Sequence, residues 1–118
     1  NAFEHAMIEI VNSQPEFNRL PIYQLWDKED DQVLAYQRGN LIFIFNFNGH
    51  KSFPEYGILA EKGSYKTVLN TDNPKFGGFG LVDDEIIHHT LFDPEEPGSK
   101  EWLKFYIPAR SAMVLRKV

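Results

Sequence analysis

The chain holds four histidines and seventeen acidic residues that could carry acid–base or metal chemistry. Their spacing limits what they can do. His88 and His89 are adjacent, and neighbours on a strand point to opposite faces, so the two cannot easily ligate one metal. His5 and His50 lie on distant segments, and a metal centre needs three or four converging ligands. The acids bunch in turn-like stretches: Asp27, Glu29, Asp30 and Asp31; Asp83, Asp84 and Glu85; Asp93, Glu95 and Glu96. Glycosidic chemistry needs two carboxylates held across the scissile bond on rigid supports. Asp in turns is usually solvated and bonded to its own backbone. A calcium loop at Asp27–Asp31 would need the EF-hand pattern, which is absent. Ser13, Ser52, Ser64, Ser99 and Ser111 sit in no Gly-x-Ser-x-Gly setting. Gly77-Gly78-Phe79-Gly80 lacks the lysine and following helix of a phosphate loop, and reads as a tight turn or a close backbone approach. No catalytic residue, metal site or cofactor site is expected.

The aromatic residues carry the remaining binding potential. Trp102 and Tyr106 share a strand face with Lys104, so that face is expected to be partly wet. Trp26 stands beside a polar turn. Flat rings on a wet face can stack on sugars, while Trp and Tyr equally suit protein interfaces. Packing against another domain, or covering the fold itself, is the stronger expectation. Carbohydrate binding through Trp26, Trp102 and Tyr106 is the alternative.

Composition narrows the remaining classes. The 118 residues fit one domain. Net charge is −5, and the 12 basic residues are scattered, which argues against nucleic acid. Cysteine is absent, removing disulfides and thiolate chemistry and suiting a cytoplasmic location. No apolar run approaches the roughly 20 residues of a membrane span. The first residue is Asn1 rather than Met, so either the start was processed or the chain is excised from a longer one, and excision is expected.

Two periodicities divide the chain. Phe3, Ala6, Met7, Ile10 and Val11 fall on one helical face, and Asn1 with Glu4 resembles a capping box. Residues 1–20 are therefore a helix and linker, ended by Pro15 and Pro21. From 21 to 118 the pattern is strand-like: Ile22–Trp26, Val33–Gln37, Leu41–Phe47, Tyr56–Leu59, Tyr65–Asn70, Glu85–Phe92, Trp102–Ile107 and Ala112–Val118. Leu41–Phe47 is apolar on both faces at its start, as a central strand should be. The fold class predicted is all-β, an antiparallel Greek-key sandwich of about seven to nine strands after a short N-terminal helix.

The run GNLIFIFNFN followed by KSFPEYGI resembles the C-terminal β-domain of 1,4-α-glucan (glycogen) branching enzymes, in the α-amylase superfamily. GSYKTVLNTDNPKFGG (Gly63–Gly78) is similar to that family's strand ending in an aromatic-Gly-Gly turn. FYIPARSAMVLRKV (Phe105–Val118) resembles its final hairpin with an Ile-Pro-x-Arg turn, and NAFEHAM (Asn1–Met7) the end of the catalytic barrel. Phe79 stands where a polar residue is common, and Ala109 where Ser is usual.

The resemblance implies a cytoplasmic, multidomain enzyme that moves an α-1,4-glucan chain to a 6-hydroxyl. Its catalytic Asp and Glu would lie in a (β/α)8 barrel of about 250 residues, too long to be part of this chain. The implied role of the domain is to pack on that barrel and stabilise it, with Phe3, Met7 and Ile10 as interdomain packing residues. The implied partners are the barrel of the same polypeptide and, in the alternative, α-glucan (glycogen).

Overall fold

The structure is a computed structural model that describes residues 2–13, 19–80 and 82–118. The side chains of Ala2, Phe3, Glu4, Met7 and Val11 lie outside that description, as do Asn1 of the expected capping box and Pro15 of the expected linker. Among the described residues, the α-helix α1 (Ala2–Asn12) precedes eight strands. These are β1 (Ile22–Lys28), β2 (Val33–Arg38), β3 (Leu41–Asn46), β4 (Phe53–Glu61), β5 (Ser64–Asn70), β6 (Ile87–His89), β7 (Lys100–Ile107) and β8 (Ser111–Lys117).

The strands form an all-β sandwich, with every pairing antiparallel. A six-stranded sheet runs in the order β1-β2-β3-β8-β5-β6, and β4 and β7 make the second layer. The last strand inserts between β3 and β5, so the sheet is complete only when the C-terminal residues are in place.

Strand alternation builds the core. Val33 and Ala35, Ile42 and Ile44, and Met113 and Leu115 point from the large sheet toward Tyr56, Ile58 and Ala60 of β4 and Leu103, Phe105 and Ile107 of β7. Leu41 and Ile42 of β3 are both fully buried, because β3 is also covered from outside. Leu41, Leu69 and Val114 form a second cluster on the outer face, over which Ala6 and Ile10 of α1 pack. A helix of 11 residues is marginal alone, and this contact supplies its apolar partner surface.

Bulges re-aim key side chains. The register of β1 against β2 slips between Gln24 and Trp26, so Trp26 comes opposite Ala35 and turns toward the core side. In regular pairing it would lie opposite the outward-facing Leu34. A second slip, between Thr67 and Leu69, sends Thr67 inward and Leu69 outward beneath α1. The expected strand over Glu85–Phe92 is much shorter than its apolar pattern suggests. Only Ile87–His89 pairs, at the sheet edge, and Leu91 makes an isolated bridge to Trp102.

Candidate functional site

The expected stacking residues fall into two places. Trp26 and Trp102 meet edge to face at 5.8 Å where β1 closes against the small sheet. Both indole N–H groups are spent: Trp26 donates to the Tyr56 hydroxyl (2.8 Å) and Trp102 to the Asp93 carboxylate (3.2 Å). Tyr56 in turn donates to Asp31 at 2.8 Å. Burial, aided by the bond to the Asp31 carboxylate, pushes the Tyr56 hydroxyl up to about 12. Tyr106 shares its strand face with Trp102 but lines a separate cleft of about 320 Å³ with Glu55, Lys104, His88 and Ile86. Strand spacing puts residues four apart about 13 Å from each other, so Trp102 and Tyr106 make no single platform.

The histidine pair divides as alternation requires. His88 is half-buried toward β7, and burial holds its imidazole below the usual range. His89 is exposed and shares a 2.6 Å hydrogen bond with the Ser64 hydroxyl. Among the described residues, no three His, Cys, Asp or Glu side chains come together as metal ligands. Several turn acids hold local backbone: Asp83 accepts from Glu85 N–H and Asp93 from Glu95 N–H, each at 2.9 Å. Asp84 accepts from Asn70 at 2.6 Å, and burial pushes its carboxyl up.

One end of the sandwich carries a constellation that spans three separate segments. The connection after β3, the long connection after β5 and the turn between β7 and β8 converge there. Asn46, at the end of β3, is buried and knits two of them. Its amide donates to Lys51 and Pro108 carbonyls, both at 3.0 Å, and its oxygen accepts from Asn48 N–H at 2.9 Å. Arg110 N–H donates to the Asn48 carbonyl (3.0 Å), and Ala109 N–H to the Ser52 hydroxyl (2.9 Å).

The third segment is wound about Asp72. The Asp72 carboxylate accepts from Phe79 and Val82 N–H, and its carbonyl accepts from Gly80 N–H. Gly78 must be glycine, because a Cβ there would sit 2.1 Å from the Asp72 backbone. Gly77 N–H bonds Pro74 and Gly78 N–H bonds Asn73. All four amides of Gly77–Gly80 are thus committed internally, and none is left to cradle a phosphate. Between these segments lies a pocket of about 570 Å³, with Phe79 at its lip and Arg110 on its wall.

The packing residues also separate. Ile10 is half-buried against this chain's own sheet, while the side chains of Phe3 and Met7 lie outside the described residues. The same outer face continues beyond the α1 contact. Ile22, Tyr36, Arg38, Phe43 and Phe45 line a shallow apolar hollow of about 340 Å³, and Phe47 stacks on Phe45 at 5.9 Å.

Residues 23–118 match the family described as alpha amylase, C-terminal all-beta domain. The chain belongs to that family. Curated relatives of this α-amylase C-terminal domain are named 1,4-alpha-glucan-branching enzyme. The one from Yarrowia lipolytica is 41% identical over 118 residues, covering 99% of this chain and 17% of that protein. The one from Eremothecium gossypii is 36% identical over 118 residues, covering 98% and 17%. The one from Saccharomyces cerevisiae is 34% identical over 116 residues, covering 98% and 16%. The chain therefore spans about a sixth of the length of these relatives, and the sequence resemblance to branching enzymes holds over nearly all of it. No described helix of the domain is long and apolar enough to cross a membrane.

Proposed function

We propose that this chain is the non-catalytic C-terminal domain of a cytoplasmic 1,4-α-glucan branching enzyme, and that it packs on and stabilises a (β/α)8 barrel of the same polypeptide that performs the transfer. The observation that carries this reading is the apolar hollow on the outer sheet face, with exposed apolar side chains at its margins. Ile22 is 61% and Phe47 59% exposed, and they flank Tyr36, Phe43 and Phe45 in one contiguous apolar surface. A domain alone rarely leaves such a surface on a sheet face, and an apolar patch of this kind suits contact with another folded body. The helix α1 covers the adjoining half of the same face, so a barrel seated beside it would complete one continuous cover. Asp83 and Asp93 hold turn backbone, and Asp31 and Asp84 hold the Tyr56 and Asn70 side chains, which is consistent with chemistry placed elsewhere.

Deleting this domain from the parent enzyme tests the reading. The rest of the protein should unfold at a lower temperature and lose branching activity, and the isolated 118-residue chain should make no branches in amylose. An undiminished melting temperature and full branching after the deletion, or turnover by the isolated chain, contradicts it.

A further inference from the structure

We propose that the pocket between the three converging segments is an accessory α-glucan contact, with Phe79 as the stacking ring and Arg110 as the hydroxyl donor. The proposal rests on the reading that the parent acts on α-glucan, but it assigns the contact to residues other than those of the docking face and other than Trp26, Trp102 and Tyr106.

Phe79 is 85% exposed, more than any other large apolar side chain described. It is not loose, because its own N–H is anchored on Asp72 and Gly78 is pressed against the Asp72 backbone. A ring offered to solvent from a tightly bonded turn is pre-organised for a flat apolar partner, and the face of a sugar ring is one. Arg110 holds a left-handed backbone at φ 50°, a conformation uncommon for a side chain of this size. Its guanidinium lies over Gly49, where a Cβ would come within 2.9 Å of it. No described carboxylate pairs with Arg110, so its fork of donors is free to meet hydroxyl oxygens.

The pocket, about 570 Å³, lies within the usual range of roughly 300–1,000 Å³ for ligand sites. Ser52 adds a hydroxyl on its wall. The chemistry favours a neutral polyhydroxyl chain over a phosphate, since the amides of Gly77–Gly80 are already used and Arg110 is the only cation among the described residues of the wall.

Native affinity electrophoresis of the 118-residue chain in gels with and without glycogen tests this. Wild type should be retarded by glycogen. Phe79→Ala should weaken that retardation about tenfold in apparent dissociation constant, as expected for a lost stacking contact. Arg110→Asn should weaken it too; Asn tolerates a left-handed backbone, and an unchanged far-ultraviolet dichroism spectrum shows that the fold persists. Phe47→Ser, on the docking face, should leave retardation unchanged. Absence of retardation in wild type, or retardation equal in wild type, Phe79→Ala and Arg110→Asn, overturns the proposal while leaving the docking role untouched. So does weakening by Phe47→Ser alone, which would place the glucan on the sheet face.

Discussion

Trp26 donates its indole N–H to the Tyr56 hydroxyl across 2.8 Å, joining the edge strand of one sheet to the small sheet that faces it. The hydroxyl passes its own proton toward Asp31, so a single oxygen ties three segments together. Tyr56→Phe removes that oxygen and leaves the Trp26 donor and the Asp31 carboxylate without this partner. An unmet buried polar group costs about 1–3 kcal/mol. The urea midpoint should fall accordingly, with the slope of the transition unchanged; an unaltered midpoint would mean water replaces the hydroxyl at no cost.

The two buried tyrosines set an alkaline limit. Burial pushes both Tyr56 and Tyr65 up to about 12, against an ordinary value of 10.0. The folded chain then keeps protons that the unfolded chain releases first. Stability from these groups is complete below pH 10 and is lost as pH rises toward about 12. Tyrosinate absorbance should show two of the five tyrosines ionising late, together with unfolding.

His88 sets an acid limit of opposite sense. Burial holds its imidazole below 6.5, and the neighbouring His89 charge acts in the same direction, against a hydrogen bond that the ring donates to the Lys104 backbone. The unfolded state takes up the proton first, so the contribution of His88 is present above pH 6.5 and is lost as pH falls through its folded value. Comparing urea midpoints at about pH 5 and about pH 7 should show a smaller difference for His88→Gln than for wild type. Equal differences would remove His88 as the cause.

The loop end depends on two positions. Asn46→Ala breaks three hydrogen bonds from one buried side chain, and should cost about 1–3 kcal/mol by urea denaturation. Gly78→Ala forces a methyl against the Asp72 backbone, and should cost about as much, since overpacking costs 1–3 kcal/mol. Hydrogen exchange should quicken in Gly78→Ala at Phe79 and Gly80, whose amides rest on Asp72. In Asn46→Ala it should quicken at Asn48 and Arg110, because that change loosens the connection after β3 against the β7–β8 turn. An unchanged exchange pattern would mean that these contacts do not hold the segments.

Much of this fold was legible because alternation is local. LIFIFNF announced a strand covered on both sides, and β3 is central in its sheet with α1 above and β4 and β7 below. The facing of Trp26 was not legible, because one slipped residue in β1 reverses it and nothing in the local sequence marks the slip. The short β6 was hidden for a similar reason. Ile86 and Ile87 look like strand residues, but at a sheet edge pairing depends on what β5 offers. The pocket beside Phe79 and Arg110 lay further out of reach, since it exists only when residues near 49, 78 and 110 are brought together by the sheet order. The aromatic-Gly-Gly and Ile-Pro-x-Arg turns that carried the family resemblance were its only visible trace.

The docking role can be read at a single atom. The chain has no cysteine, so Phe47→Cys places one thiol on the exposed outer face. Its rate of alkylation, followed by mass spectrometry of the labelled peptide, should be fast in the isolated chain and strongly slowed in the full-length parent enzyme. A cysteine at Ile87, exposed on the opposite sheet edge, should label at similar rates in both. Equal labelling of position 47 in the isolated chain and the parent would contradict the account.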